Sequence, residues 1–149
     1  MQSGGIVCFR WAVGILIAIS LIGAASEEPK EKDIRIPLVP ADQLEQAKTL
    51  TNPIPSTERN LAEGKEYFKI ACASCHGPEG KGDGPVAKKT KMDPKPRDLT
   101  NSEFQRIRTD GELFWVLKHG SHSTEMMQMD LFFYDKDLWK LILYIRTLK

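Results

Sequence analysis

Cys72-Ala-Ser-Cys75-His76 is the stretch of this chain whose residue types and spacing could do chemistry. Two thiols one helical turn apart can each form a thioether to a vinyl group of one haem. The histidine beside the second thiol is then held under the iron as a proximal ligand. The same residues admit three other uses. A dithiol redox pair shares the C-x-x-C spacing, but a thioredoxin-like βαβ context is not readable around it. A zinc site needs four ligands; His119 and His122 could contribute, yet a second cysteine pair is missing. A disulfide across two intervening residues is strained and seldom serves stability alone.

The third cysteine, Cys8, lies in a segment of a different kind. Residues 1–26 carry no acidic residue and one basic one, Arg10, followed by the 15-residue apolar run Trp11–Ala25. Gly23, Ala24, Ala25 and Ser26 close the run before Glu27 and Glu28. A charged start, an apolar middle and a small-residue end describe a secretory signal peptide, with cleavage expected after Ala25 or Ser26. An uncleaved membrane anchor is the alternative, although a spanning helix wants about 20 apolar residues. Either way the remainder is expected outside the cytoplasm, periplasmic or otherwise extracytoplasmic. Without residues 1–26 the basic residues fall from 21 to 20 against 20 acidic ones, so the net charge of +1 becomes zero. A neutral chain gives no support to nucleic-acid binding through a basic surface field. Only Cys72 and Cys75 remain.

The elements that must position these residues are helices. All 9 prolines fall between Pro29 and Pro96, which separates an irregular first part from a more helical second part. Residues 27–55 are polar and proline-punctuated. They are expected to form an arm packed on the domain or a spacer from an anchor, with a short helix at about 41–49. The domain proper is expected over residues 56–149. Its first helix starts at Ser56 or Thr57 as N-cap and runs to about Cys72, with Leu61, Phe68 and Ile70/Ala71 facing inward. Gly64 interrupts it, and a glycine there costs about 1 kcal/mol against alanine, so a close backbone approach is expected. Residues 77–101 are expected to be loop, given their density of glycine and proline. Thr109-Asp-Gly-Glu112 is a capping box for a helix ending at His119-Gly120. A last helix begins near Asp135, with Leu138, Leu141, Ile142, Ile145 and Leu148 at helical spacing. No alternating strand pattern is visible.

On these residues the chain resembles the class I, monohaem c-type cytochromes, in particular their bacterial small-cytochrome branch. The resemblance covers about Asn52 to Leu148. It is carried by Gly64-Lys-Glu-Tyr-Phe68, the Cys-Ala-Ser-Cys-His motif, Gly80-Lys-Gly-Asp-Gly-Pro85, Pro96-Arg-Asp-Leu-Thr100, and the Leu141/Tyr144 pair. It implies an all-α fold, the cytochrome c fold, of about four short helices with long loops wrapped around one covalently bound haem c. Its first and last helices would cross at Gly64.

The resemblance also implies a methionine as sixth iron ligand. The family reads Gly-x-x-Gly-Thr-x-Met-Pro before its last helix, and Gly120-Ser-His-Ser-Thr124-Glu-Met126-Met127 aligns with it without a gap. Met126 is the ligand so indicated, with Met127 or Met129 as alternatives, and His122 or an open site as a further one. Ser123 replaces the family's glycine and Met127 its proline. In the family a proline carbonyl meets the far ring nitrogen of the proximal histidine, and Pro96 stands in that place. His119 and His122 otherwise read as ordinary polar residues.

The function so indicated is extracytoplasmic single-electron transfer between redox partner proteins, without independent catalysis. A haem subunit of an oxidoreductase complex, such as a sulfite- or thiosulfate-oxidising enzyme, is the alternative. A ligand-binding or peroxidase-like haem protein would need an open or displaceable sixth site. Between residues 81 and 97, Lys81, Lys88, Lys89, Lys91, Lys95 and Arg97 face only Asp83 and Asp93. Such a basic loop can steer an acidic redox partner or can simply be solvated. Contact with a membrane is expected only if the N-terminal segment stays uncleaved.

Overall fold

The computed structural model describes Met1 and residues 38–121 and 124–149. The signal or anchor segment, the first part of the arm, His122 and Ser123 lie outside the described residues. Among those described there are seven helices and no strand. None of the helices is long and apolar enough to cross a membrane.

The four expected helices form. α1 spans Ala41–Thr49 and α2 spans Glu58–Ala71, whose N-cap Thr57 accepts a hydrogen bond from the Asn60 amide. α6 spans Asp110–His119, and α7 spans Asp135–Ile145. Both halves of the Thr109–Glu112 capping box are made, and α6 stops at Gly120. Three shorter helices lie between them: α3 (Ala73–His76), α4 (Pro85–Thr90) and α5 (Ser102–Ile107). α4 corrects the expectation of loop throughout 77–101. Pro85 stands at its first position, where the missing N–H is no loss and the fixed φ suits a helix. α5 is capped by Asn101, which accepts from the Phe104 amide.

α2 and α7 cross at Gly64. A Cβ built there would stand 2.1 Å from the Lys140 carbonyl oxygen and 3.1 Å from the Tyr144 Cβ. Hydrogen is therefore the side chain this contact admits, which accounts for a glycine inside a helix. Around the crossing, Phe68 and Tyr144 meet with ring centroids 5.4 Å apart. Lys140 Nζ binds the Glu63 carboxylate, and this bond, with a second from Arg59, holds that carboxyl below its ordinary value. Tyr67 donates to Asp137 at 3.2 Å.

The core lies behind this crossing. Phe68, Phe104, Leu138, Leu141 and Ile142 are buried almost completely. α6 joins through Phe114, stacked on Trp139 with centroids 4.1 Å apart. Ile70, expected inward, is instead 76% exposed. The inward stripe of α2 follows Gly64, Phe68, Ala71 and Cys72, and two residues beyond Phe68 a helix points the other way.

The crossing sets a stability test. Overpacking costs about 1–3 kcal/mol, while alanine gains ~1 kcal/mol over glycine inside a helix. Gly64→Ala is therefore expected to lose roughly 1–2 kcal/mol in a denaturant titration. A midpoint at or above that of the unsubstituted chain would contradict the contact.

Candidate functional site

The end of α2 delivers the cysteine motif. Cys72 caps α2 and begins α3, so the motif is one further helical turn: the Cys75 and His76 amides both donate to the Cys72 carbonyl, at 3.1 and 2.8 Å. Cys72 is buried against the core, while Cys75 and His76 are half-buried. The two thiols are not joined to each other.

The glycine-rich stretch that follows folds back under this turn. The Gly82 amide donates to the His76 carbonyl at 2.8 Å, and the Gly84 amide to the Cys75 carbonyl at 3.0 Å. Gly82 has φ +75°, and a Cβ there would lie 2.2 Å from the Pro96 carbonyl oxygen. Both features exclude a larger residue. The returning strand of loop is tied on by the Leu99 amide, which donates to the Gly80 carbonyl at 2.7 Å.

This packing decides which carbonyl serves the histidine. Nδ1 of His76 lies 3.0 Å from the Arg97 carbonyl oxygen. The acceptor is therefore Arg97, one residue beyond the expected Pro96, because the Pro96 carbonyl is turned against Gly82. A bond from Nδ1 fixes the ring orientation and leaves Nε2 as the ring nitrogen available to a ligand-accepting centre. Burial holds the imidazole below its ordinary value, against the opposing pull of the Arg97 carbonyl. A neutral ring is what metal ligation requires.

Burial also pushes the Cys72 thiol up to about 12, with Cys75 adding to the effect. A dithiol redox pair depends on a lowered thiol, so this environment argues against that use. Among the described residues no group of three or more His, Cys, Asp or Glu side chains converges as a metal site. His119 is exposed in the last turn of α6, its ring 4.8 Å from that of Trp115.

Cys72, Cys75 and His76 open onto a cavity of about 570 Å³, a size suited to a cofactor-sized molecule. Leu99, Phe104, Leu113 and Leu117 supply much of its apolar wall. Pro96 lines it too, so that residue is at the site although its carbonyl does not serve His76. Four methionines reach the same cavity: Met92, Met126, Met127 and Met129. Their environments differ. Met129 is buried in the core and its amide donates to the Leu117 carbonyl. Met127 is 60% exposed. Met126 is half-buried against the core, on a turn closed by the Ser121 amide to the Met126 carbonyl at 3.0 Å and by its own amide to Thr124 Oγ1 at 3.2 Å. Met92 follows α4 in a loop whose sequence carries no signal for such a role, and neither do the arm residues Leu38, Val39 and Pro40, which also line the cavity.

The residues present fit a covalently held haem. A cavity lined by apolar side chains, two unlinked thiols at its wall, an oriented neutral imidazole and a half-buried thioether are the donor set such a group needs.

Comparison with known proteins agrees. The chain matches the family model described as cytochrome c over residues 61–149. Among solved structures it is similar to a chain of the reducing HAO-like protein complex of Kuenenia stuttgartiensis, at 30% identity and a TM-score of 0.57. The similarity covers 64% of this chain and 46% of that one, so the present chain spans about half that relative's length. None of the curated proteins matches it.

Proposed function

The chain belongs to the cytochrome c family, and from that membership we propose that it is an extracytoplasmic monohaem cytochrome passing single electrons between redox partner proteins. The family carries covalently bound haem c and works in electron transfer; the supply of one electron by iron cycling between ferrous and ferric states is the chemistry of that group. The observation that carries the reading is the single cavity wall shared by Cys72, Cys75, His76 and Met126.

In this proposal Cys72 and Cys75 hold the porphyrin by thioethers, so the group cannot be lost in a dilute compartment outside the cytoplasm. His76 is the proximal ligand, oriented by the Arg97 carbonyl. Met126 is the distal ligand. The half-buried position of its turn supports it over exposed Met127 and over Met129, whose place is in the core. With both His76 and Met126 as ligands the iron would be closed to substrates, which suits a carrier better than a ligand-binding or peroxidase-like protein. The export pattern of residues 1–26 supports the extracytoplasmic location.

The basic loop is the proposed docking surface. Lys81 pairs with Glu79 at 2.6 Å and Lys88 with Asp83 at 3.0 Å, which tempers the local charge. Lys89 and Lys91 are exposed at the end of α4, and α4 lies against α3, the turn that carries Cys75 and His76. Positive charge so placed raises the encounter rate with an acidic partner.

A second reading is favoured by one comparison. The similar solved chain comes from a multi-protein complex, so this chain is alternatively the haem electron-transfer subunit of an oxidoreductase complex. Co-purification with a larger partner from the native cell supports that alternative, and recovery as a free small protein supports the carrier.

Met126→Ala is expected to abolish the red-edge absorption band assigned to thioether-ligated ferric iron. Met92→Ala, Met127→Ala and Met129→Ala should retain it. Loss of the band in one of these three instead would reassign the ligand. For the docking surface, Lys88/Lys89/Lys91→Glu should slow reduction by an acidic partner about tenfold or more at low ionic strength, with the difference shrinking as salt is added. Unchanged rates would remove the docking role.

A further inference from the structure

The match to the family begins at residue 61, but the wall of the cavity does not. Leu38, Val39 and Pro40 line the same cavity as His76 and Met126. Val39 is 3% exposed, and Leu38 packs against the core.

The residues that follow lock this piece in place. α1 lies against α6, where a Cβ at Gly111 would stand 1.9 Å from the Ala47 carbonyl oxygen and 2.9 Å from the Leu50 Cβ. Ala47 is 2% exposed. Gln43 accepts a 2.7 Å hydrogen bond from the indole N–H of Trp115, itself a lining residue of the cavity. Past α1, Asn52 donates to the Trp139 carbonyl at 3.0 Å, and Ile54 rests on the core. The segment is thus fastened to α6 and α7 along its length. A nine-residue helix is marginal on its own in water, so this packing is what holds α1.

We propose that residues 38–50 are a built-in strap that completes the cofactor cavity, excludes water from it and thereby raises the reduction potential of the group it holds. The proposal rests on the cavity being the haem site. Its physics is dielectric. The ferric state carries one more positive charge than the ferrous, and an apolar, water-poor wall disfavours the more highly charged state. Val39 supplies such a wall by burial, and the Ala47–Gly111 contact holds it shut. Residues 38–50 are therefore spent on their own domain, and a partner that gripped α1 would open the cavity.

The test uses the full-length haem-loaded protein with Val39→Asn, Gly111→Ala and Gln43→Ala. Two quantities are read: the midpoint potential and the hydrogen exchange of the α1 amides. All three variants are expected to keep the haem spectrum and to show a lower midpoint. Gly111→Ala should also speed α1 exchange about tenfold or more, since its Cβ displaces the helix backbone. An unchanged or higher midpoint in Gly111→Ala, with α1 exchange accelerated, would overturn the strap. If Gly111→Ala does not fold, Val39→Asn and Gln43→Ala decide by the same midpoint criterion. An unsubstituted chain that carries no haem would instead overturn the underlying reading of the cavity, so the two failures are distinguishable.

Discussion

The backbone contact at Gly64 sets where everything else lies. With no side chain between them, α2 and α7 approach until the Gly64 Cα faces the Lys140 carbonyl. That spacing brings Phe68 and Tyr144 into ring contact and seats Leu141 in the core. One turn beyond Phe68, α2 ends at Cys72 with its thiol buried. The cysteine motif is therefore positioned by a packing contact two turns upstream. A shift there would move the cysteines relative to the cavity.

From that anchor the site is assembled by backbone hydrogen bonds more than by side chains. The Gly80–Pro85 stretch binds the carbonyls of Cys75 and His76 from one side, and the 96–99 stretch closes over it. One consequence is the orientation of the His76 imidazole by the Arg97 carbonyl. Burial acts on the donor groups as well, favouring the protonated thiol at Cys72 and the neutral ring at His76. Lys95, Arg97 and Glu125 stand at the cavity wall, and Lys88 and Lys89 of α4 are exposed. Electron transfer asks for an interior that reorganises little and a charged rim that a partner can find.

Much of this was legible from local signals. The C-x-x-C-H spacing, the Thr109–Glu112 capping box and the stripe of α7 each operate within a few residues, and each stands where the sequence places it. Gly64 was legible as a cost requiring a reason, and the α7 backbone is that reason. What sequence did not disclose was set by tertiary contact. α4 hides behind a proline that is harmless at a first helical position. Arg97 rather than Pro96 serves His76 because Gly82 occupies the Pro96 carbonyl's side of the loop. Met92 and the Leu38–Pro40 wall reach the cavity from segments with no motif of their own.

The central claim is that Cys72 and Cys75 together hold one haem covalently in this cavity. Acid–acetone extraction of the purified protein tests it directly, because this treatment removes haem held by axial ligands and leaves haem held by thioethers. The haem is expected to stay with the polypeptide, at one per chain by intact mass, and Cys72→Ser/Cys75→Ser to release it. Haem passing into the organic phase from the unsubstituted chain, or a mass equal to the polypeptide alone, would contradict the account.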